Sequence, residues 1–400
     1  MAVPPTTAPP GAARRPGPRL AAGLPAAALA FAALGIREAS LGVAWPSVRT
    51  TFDQPLAALG VALFAGTTGY LLASVASGRV AGAVGHRTMV VGATVLGVVG
   101  LALVATAPAW LVFIGGLAVL GVGGGATDAG LNAVVALRDG VRGLSFVHAA
   151  FGAGAVLGPL LMALVVAGPG SWRLGYAVLL GLYVLLVPTL WRADLDAPVV
   201  ATEEEAGVDV APSRWRAALV CSVTLFFVYV GVEVCAAAWS YSLFTEERGM
   251  GEVAAGVWVA AFWAGFTLTR IATGVRGHRV HAERLLDASF LIALAGAGLF
   301  WWGPTAFAGG VGLVVMGVGF AAVFPTLVAL TPRRVGPHRA HNAIGYQVGA
   351  AAVGAAAGPA AFGVLAERAG LEWLGPCLAA GIVALGLLHR LTVHLERGPA

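Results

Sequence analysis

The chain has 400 residues, of which 58% are apolar and only 11% charged, with a mean hydropathy of +0.86; in soluble domains about a quarter of residues are charged. Its net charge of +5 rests on 24 basic residues, every one an arginine, and in so apolar a chain these mark membrane orientation rather than a nucleic-acid partner. Cys221, Cys235 and Cys377 form no CxxC and are read as packing residues, and the sequence carries no HExxH, P-loop or nucleophile elbow, so no hydrolase or nucleotidase site, metal site or cofactor is expected.

Residues 1–19, rich in Pro and Ala, are predicted to be a disordered cytoplasmic tail. The segment from Arg14 through the apolar run Leu20 to Ile36 has the look of a signal peptide. The run continues past Arg37-Glu38 to Trp45-Pro46 and eleven further apolar stretches follow, so it is read as a first, uncleaved span. A hydrocarbon core about 30 Å thick takes roughly 20 helical residues to cross. Six spans are predicted in an N-terminal bundle over residues 20–191, near 20 to 48, 56 to 79, 88 to 108, 110 to 137, 143 to 168 and 174 to 191. A solvated cytoplasmic linker, 192–214, carries Glu203-Glu204-Glu205. Six more spans make a C-terminal bundle over 215–392, near 215 to 244, 252 to 275, 284 to 303, 307 to 331, 340 to 366 and 371 to 392, and 393–400 is a cytoplasmic tail. The runs are continuous rather than alternating, which selects helices over a barrel. The expected fold is therefore an all-α integral membrane protein of twelve transmembrane helices in two pseudo-symmetric six-helix bundles.

The two halves repeat one another. Gly116 to Gly123 (GLAVLGVG) returns as Gly312 to Gly319 (GLVVMGVG), Arg79 to Arg87 has a near relative in Arg270 to Arg279, and Gly158-Pro159 is answered by Gly358-Pro359. Doubled sets of spans are the architecture of many solute carriers. With the N-terminus inside, eighteen of the 24 arginines fall on the cytoplasmic side, which places both termini in the cytoplasm and the protein in the inner or plasma membrane.

Three carboxylates lie inside spans, where charge is costly and marks function. Glu38 in the first span and Asp128 in the fourth both fall near the midplane, and Glu233 in the seventh reaches a similar depth. Burial favours the protonated form of a carboxyl group, so such a residue can carry a proton. Arg37 stands beside Glu38, but adjacent helical residues point about 100° apart, so Arg37 is expected to face a carboxylate on another helix, such as Asp128. Asn132 lies one turn beyond Asp128 on the same face. The repeat sets Phe324 opposite Asp128, with Pro325 expected to interrupt the tenth span. Trp239 offers a stacking surface for a polar ring, while Trp45 and Tyr241 are assigned to the membrane interface. Gln347 is a polar contact, and His148 and Asn342 are interfacial or gate residues. The many glycines permit close helix packing.

These residues give the chain a resemblance, over residues 20 to 392, to the major facilitator superfamily. Gly78, Gly85 and Arg87 match its loop signature between the second and third spans, with Gly82 where an acid belongs and His86 where the first base does. Within it, Gly124-x-x-x-Asp128-x-x-x-Asn132 with Glu38 resembles the fucose permease branch of sugar:proton symporters. The resemblance implies roles in proton coupling and solute binding for Glu38, Asp128 and Asn132, and Glu233, Trp239, Phe324 and Gln347 join them as solute-binding candidates on the reading of the residues given above. Arg37 departs from the pattern, and a permanent pair with either acid would put symport in doubt. Gly152-x-Gly154-x-x-x-Gly158-Pro159 resembles part of the antiporter motif instead, which keeps a proton-driven drug or metabolite exporter as the alternative. A non-transporting sensor on a carrier fold is the third reading. The expectation is a monomeric secondary transporter of a small, sugar-like solute, driven by the proton gradient, working in a lipid bilayer by alternating access, and not an enzyme.

Overall fold

The computed structural model describes residues 23–168, 170–195, 212–276, 281–303 and 305–397; the predicted N-terminal tail and most of the linker lie outside them, as do residues 277–280 of the repeated loop. Twelve helical spans long and apolar enough to cross a membrane run through these residues. In chain order they are α1 (Gly23–Thr51), α2 (Ala58–Val84), α3 (His86–Ala105), α4 (Trp110–Asp139), α5 (Gly143–Ala167) and α6 (Trp172–Arg192). The second half supplies α7 (Trp215–Glu247), α8 (Glu252–Thr273), α9 (Ala282–Trp302), α10 (Ala306–Val335), α11 (Ala343–Ala369) and α12 (Leu371–Leu395). The protein is a multi-pass, all-helical membrane protein.

Helical backbone continues from α4 into α5 without a break, although the chain reverses there. Gly23 of α1 meets Arg138 and Trp45 meets Trp110 on α4, whereas Ala32 and Ile36 meet Gly154 and Gly158 on α5. Span α4 is thus antiparallel to α1 and α5 parallel to it. At the start of the predicted linker Ala193 and Leu195 are buried, while the exposed Asp194 pairs with Arg138 at 2.8 Å.

The repeated glycines explain the packing. On α4, Gly116 and Gly123 lie against α3 and Gly121 against α2; on α10, Gly312 and Gly319 lie against α9 and Gly317 against α8. A Cβ at Gly123 would sit 2.6 Å from the Ala93 carbonyl oxygen, and at Gly319 2.5 Å from the Ala293 nitrogen. The Gly-Pro pairs act alike, Gly158 against Ile36 of α1 and Gly358 against Gly231 of α7. Lipid offers no hydrophobic drive between helices, so close backbone approach through small residues is what holds such bundles.

Three helix pairs join the halves: α1 with α7, α2 with α11 and α5 with α8. At the end marked by Arg49 they are tight. Gly42 packs on the Ala238 backbone, Gly60 on Ala360, Arg49 pairs with Glu246 at 2.5 Å, and Glu367 accepts the Ala57 amide at 3.0 Å. Toward the Arg138 end α2 and α11 part. Gly78 is five full helical turns from Gly60 and shares its face, yet nothing lies within 4 Å of where its Cβ would be, and the same holds for Gly349, on the Ala360 face of α11.

Aromatic rings fill the Arg49 end. Phe52, Trp110, Phe113 and Trp172 meet at centroid distances of 5.6 to 6.1 Å, and the Arg173 guanidinium covers Trp172 at 4.4 Å. Trp45 and Tyr241 correct the interfacial assignment, since both are fully buried inside the protein. The break in α10 also differs from expectation. It falls at Ala321 and Ala322, so that Pro325 sits in the first turn of the restarted helix, where a missing N–H costs nothing.

Candidate functional site

Two polar clusters occupy the middle of the spans, one in each half. In the first, Arg37 enters from α1. Its side chain is 9% exposed, its Nη1 donates to the Leu120 carbonyl at 2.7 Å, and its Nη2 pairs with Glu38 Oε1 at 2.9 Å. The expected pairing with Asp128 is therefore corrected. The long side chain bends back to its sequence neighbour because α4 offers a carbonyl as well as space. Gly124 provides that space, as a Cβ there would lie 2.6 Å from Nη2. Glu38 keeps 44% of its side chain exposed, in the space between the halves.

Asp128 is held by neutral donors. The Tyr70 hydroxyl donates to Oδ2 at 2.6 Å and Asn132 Nδ2 to Oδ1 at 3.1 Å. Close approach of α2 to α4 makes this possible, because Gly121 and Gly125 present bare backbone to Tyr70 and Ser74. Ser74 in turn donates to the Gly125 carbonyl at 3.3 Å. Glu38, Asp128 and Arg37 lie close enough to influence one another's charge, and Asp128 also senses His148 on α5. His148 stacks edge-on to Phe31 at 5.3 Å and senses Arg270 from the other half, so it stands between the two clusters.

In the second cluster the break in α10 sets the geometry. Interrupting a helix leaves carbonyls without their intrahelical donors. The Phe320 carbonyl accepts the Tyr229 hydroxyl at 3.0 Å, and the Ala321 carbonyl accepts Arg270 Nε at 3.2 Å. Arg270 lies over the Phe266 ring at 4.3 Å. Glu233, 8% exposed, is within reach of Tyr229 and faces the Arg270 charge.

Three further sequence candidates, Trp239, Phe324 and Gln347, lie elsewhere in the second half. Trp239 is fully buried at the α7–α11 contact, its indole donating to the Pro359 carbonyl at 3.0 Å and its ring meeting Phe362. Phe324 packs edge-on against Phe226 at 5.0 Å. Gln347 is enclosed, with Oε1 at 3.0 Å from the Thr331 hydroxyl and Nε2 unpartnered. Gly85 caps α2 at φ +82, a conformation that favours glycine, and Arg87 opens α3. The side chain of Asn342 lies outside the described residues.

Sequence reasoning missed Tyr70 and Tyr229. The available signal was a phenol in mid-span, since a buried tyrosine hydroxyl seeks a partner and both neighbours in question were intramembrane acids.

The family model of the Major Facilitator Superfamily matches residues 26–359. Among solved structures, the chain is similar to a variant of the nucleoside transporter NupG, with 13% identity over 93% of this chain and 99% of that one and a TM-score of 0.76. A bacterial homologue of the human lysosomal transporter Spinster, inward-facing and unoccupied, gives 12% identity over 94% and 96% and a TM-score of 0.74. The E. coli fucose:proton symporter FucP, in the outward conformation, gives 16% identity over 92% and 98% and a TM-score of 0.61. At such identities the likeness is one of fold. Together with twelve spans and a doubled glycine framework, the family match shows that this chain belongs to the Major Facilitator Superfamily and is a transporter, not an enzyme.

Proposed function

We propose that the protein carries a small polar, sugar-like solute across the membrane together with a proton, by alternating access. The observation that carries this reading is the treatment of the two first-half acids. The pair between Arg37 and Glu38 takes Glu38 out of proton coupling and rests symport on Asp128 alone, which at mid-span is hydrogen-bonded only by the neutral Tyr70 and Asn132. An acid without a fixed counter-ion can gain and lose a proton without leaving an unpaired buried cation behind. Asp128 is thus the proton carrier, Glu38 the counter-ion of Arg37, and Asn132 the amide that reports the charge of Asp128 to a bound solute.

The arginine distribution puts the Arg138 end in the cytoplasm, so the closed Arg49 end faces outside and this state is inward-open. One proton moving down about 150 mV releases roughly 3.5 kcal/mol, enough for accumulation of several hundredfold.

The test is uptake by proteoliposomes of a panel of radiolabelled pentoses, hexoses and nucleosides under an imposed proton gradient. Asp128→Asn is expected to abolish accumulation while sparing solute exchange. Undiminished accumulation by that variant would remove Asp128 from the mechanism, and solute expelled rather than accumulated under an inward proton gradient would favour the exporter.

A further inference from the structure

A second recess lies away from the central site, on the perimeter of the second half. Helices α11 and α12 both pack on α7 but barely touch one another, and between them a crevice of about 310 Å³ is floored by α7. Its walls include Phe227 and Cys235 on α7, Gly358, Ala361 and Leu365 on α11, and Cys377 on α12. Helix α12 contacts α7 and α9, both in its own half, so the crevice opens outward, toward lipid. Phe227 is 39% exposed at its edge.

The lining is aliphatic and aromatic apart from two thiols, and a site without polar partners does not hold water well. An apolar cavity of about 150 Å³ admits a benzene-sized guest; this one has room for about twice that, a stretch of acyl chain. Its depth agrees, since every lining residue belongs to a membrane span. The mouth supplies the rest. Gly354, Gly358, Ala361 and Leu365 recur at helical spacing along one face of α11, and the next position on that stripe is Arg368, in the last turn. Arg368 is exposed and, among the described residues, makes no ion pair or side-chain hydrogen bond. The two nearby acids are engaged elsewhere, Glu367 with the Ala57 amide and Glu372 with Arg248. Trp373, half-exposed at the start of α12 and one turn before Cys377, flanks the opening, at the level where indoles meet headgroups.

We infer that this crevice is a binding site for one anionic phospholipid, with an acyl chain between α11 and α12 and its phosphate on Arg368. Bilayer tails are as apolar as the crevice, so the chain supplies shape and Arg368 supplies the selection. The occupant would brace α11, which also carries Ala360 and Gly363 at the closed contact with α2.

The experiment is native mass spectrometry of the purified full chain, stripped in detergent and re-equilibrated with equal amounts of phosphatidylglycerol and phosphatidylcholine of identical chains. The wild type is expected to retain one phosphatidylglycerol in preference. Arg368→Ala should reduce that preference about fivefold, the factor one arginine near an anionic surface provides. Ala361→Trp, which fills the crevice from an exposed position, should remove the retained lipid of either kind while the lipid-free melting temperature stays that of the wild type. Equal retention of both lipids by the wild type, or unchanged retention in Ala361→Trp, would overturn the assignment.

Discussion

The two polar clusters come from one repeated framework and use it oppositely. Gly154 and Gly158 face Ala32 and Ile36 as Gly354 and Gly358 face Phe227 and Gly231, which sets Glu38 against Glu233, so both halves place an acid at this depth and differ in where the cation comes from. In the first half the cation on α1 reaches the carbonyl of Leu120 on an unbroken α4. In the second, the cation sits on α8 and reaches the carbonyl of Ala321, freed by the break in α10. The first cluster opens to the space between the halves through Glu38, and the second is enclosed around Glu233. A chain that doubles its helices need not double its chemistry: one copy can keep an accessible acid while the other uses the same depth to stitch a broken helix.

The sharpest way to break this comparison is to remove the first-half cation. Arg37→Ala leaves Glu38 and the Leu120 carbonyl without their donor. Breaking a buried ion pair costs about 3–5 kcal/mol, and because Glu38 is partly exposed the lower end, about 3 kcal/mol, is expected. Thermal unfolding in detergent reads it, and Glu38→Gln added to Arg37→Met should recover most of the loss. If Arg37→Ala melts with the wild type, Arg37 does not organise the cluster.

A smaller effect is expected one turn before Asp128. Gly124→Ala places a methyl against the guanidinium, whose two ends are already held, for a cost of about 1–2 kcal/mol. In an Arg37→Met background the same change should cost less than about 0.5 kcal/mol, so the double-mutant cycle isolates the contact. Equal costs in both backgrounds would mean that Gly124 serves helix packing alone.

How much of this was legible follows from which forces act locally. The twelve spans lie within a few residues of their predicted limits because bilayer thickness fixes the length of an apolar run, and the repeated glycines mark contacts that any larger residue would obstruct. Glu38, Asp128 and Asn132 were legible as a group because charge inside a span is costly wherever its partner is. The partners themselves were not. Arg37 was assigned to Asp128 on the angle between neighbours along a helix, whereas a side chain of its length can return to Glu38 once α4 leaves room. Trp45 was assigned to the interface by residue type, and three-dimensional packing buried it. The α10 break was placed at Pro325, the visible breaker, but a proline is comfortable in a first turn and the interruption precedes it. Tyr70 joined the site through α2–α4 packing, a contact 58 residues apart in sequence and invisible to periodicity.

The second half should be the more tolerant of neutralisation. Glu233→Gln keeps a hydrogen-bonding group near Tyr229, while Arg270 retains the Ala321 carbonyl and the Phe266 ring. A loss of about 1 kcal/mol in stability is expected, with proton-driven accumulation kept above half of the wild type. If Glu233→Gln uncouples transport and Asp128→Asn does not, the roles of the two halves are exchanged.

The smallest effect concerns the contact between the halves. Arg49 and Glu246 are each about a quarter exposed, and such pairs contribute about 0.2–1 kcal/mol, a few-fold change in any equilibrium they bias. Because this pair exists only while the Arg49 end is closed, Arg49→Gln should shift the population toward the state in which that end opens and the other closes. Spin labels at Val75→Cys and Tyr346→Cys, in a background without the native cysteines, would report it as a growing short-distance population at the Arg138 end. High salt should shift the unsubstituted pair the same way, since exposed charges are screened within a Debye length of about 8–10 Å. An unmoved distance distribution under both treatments would leave the backbone contacts Gly42–Ala238 and Gly60–Ala360 as the closure, and would make the gate of this carrier a matter of glycine packing rather than charge.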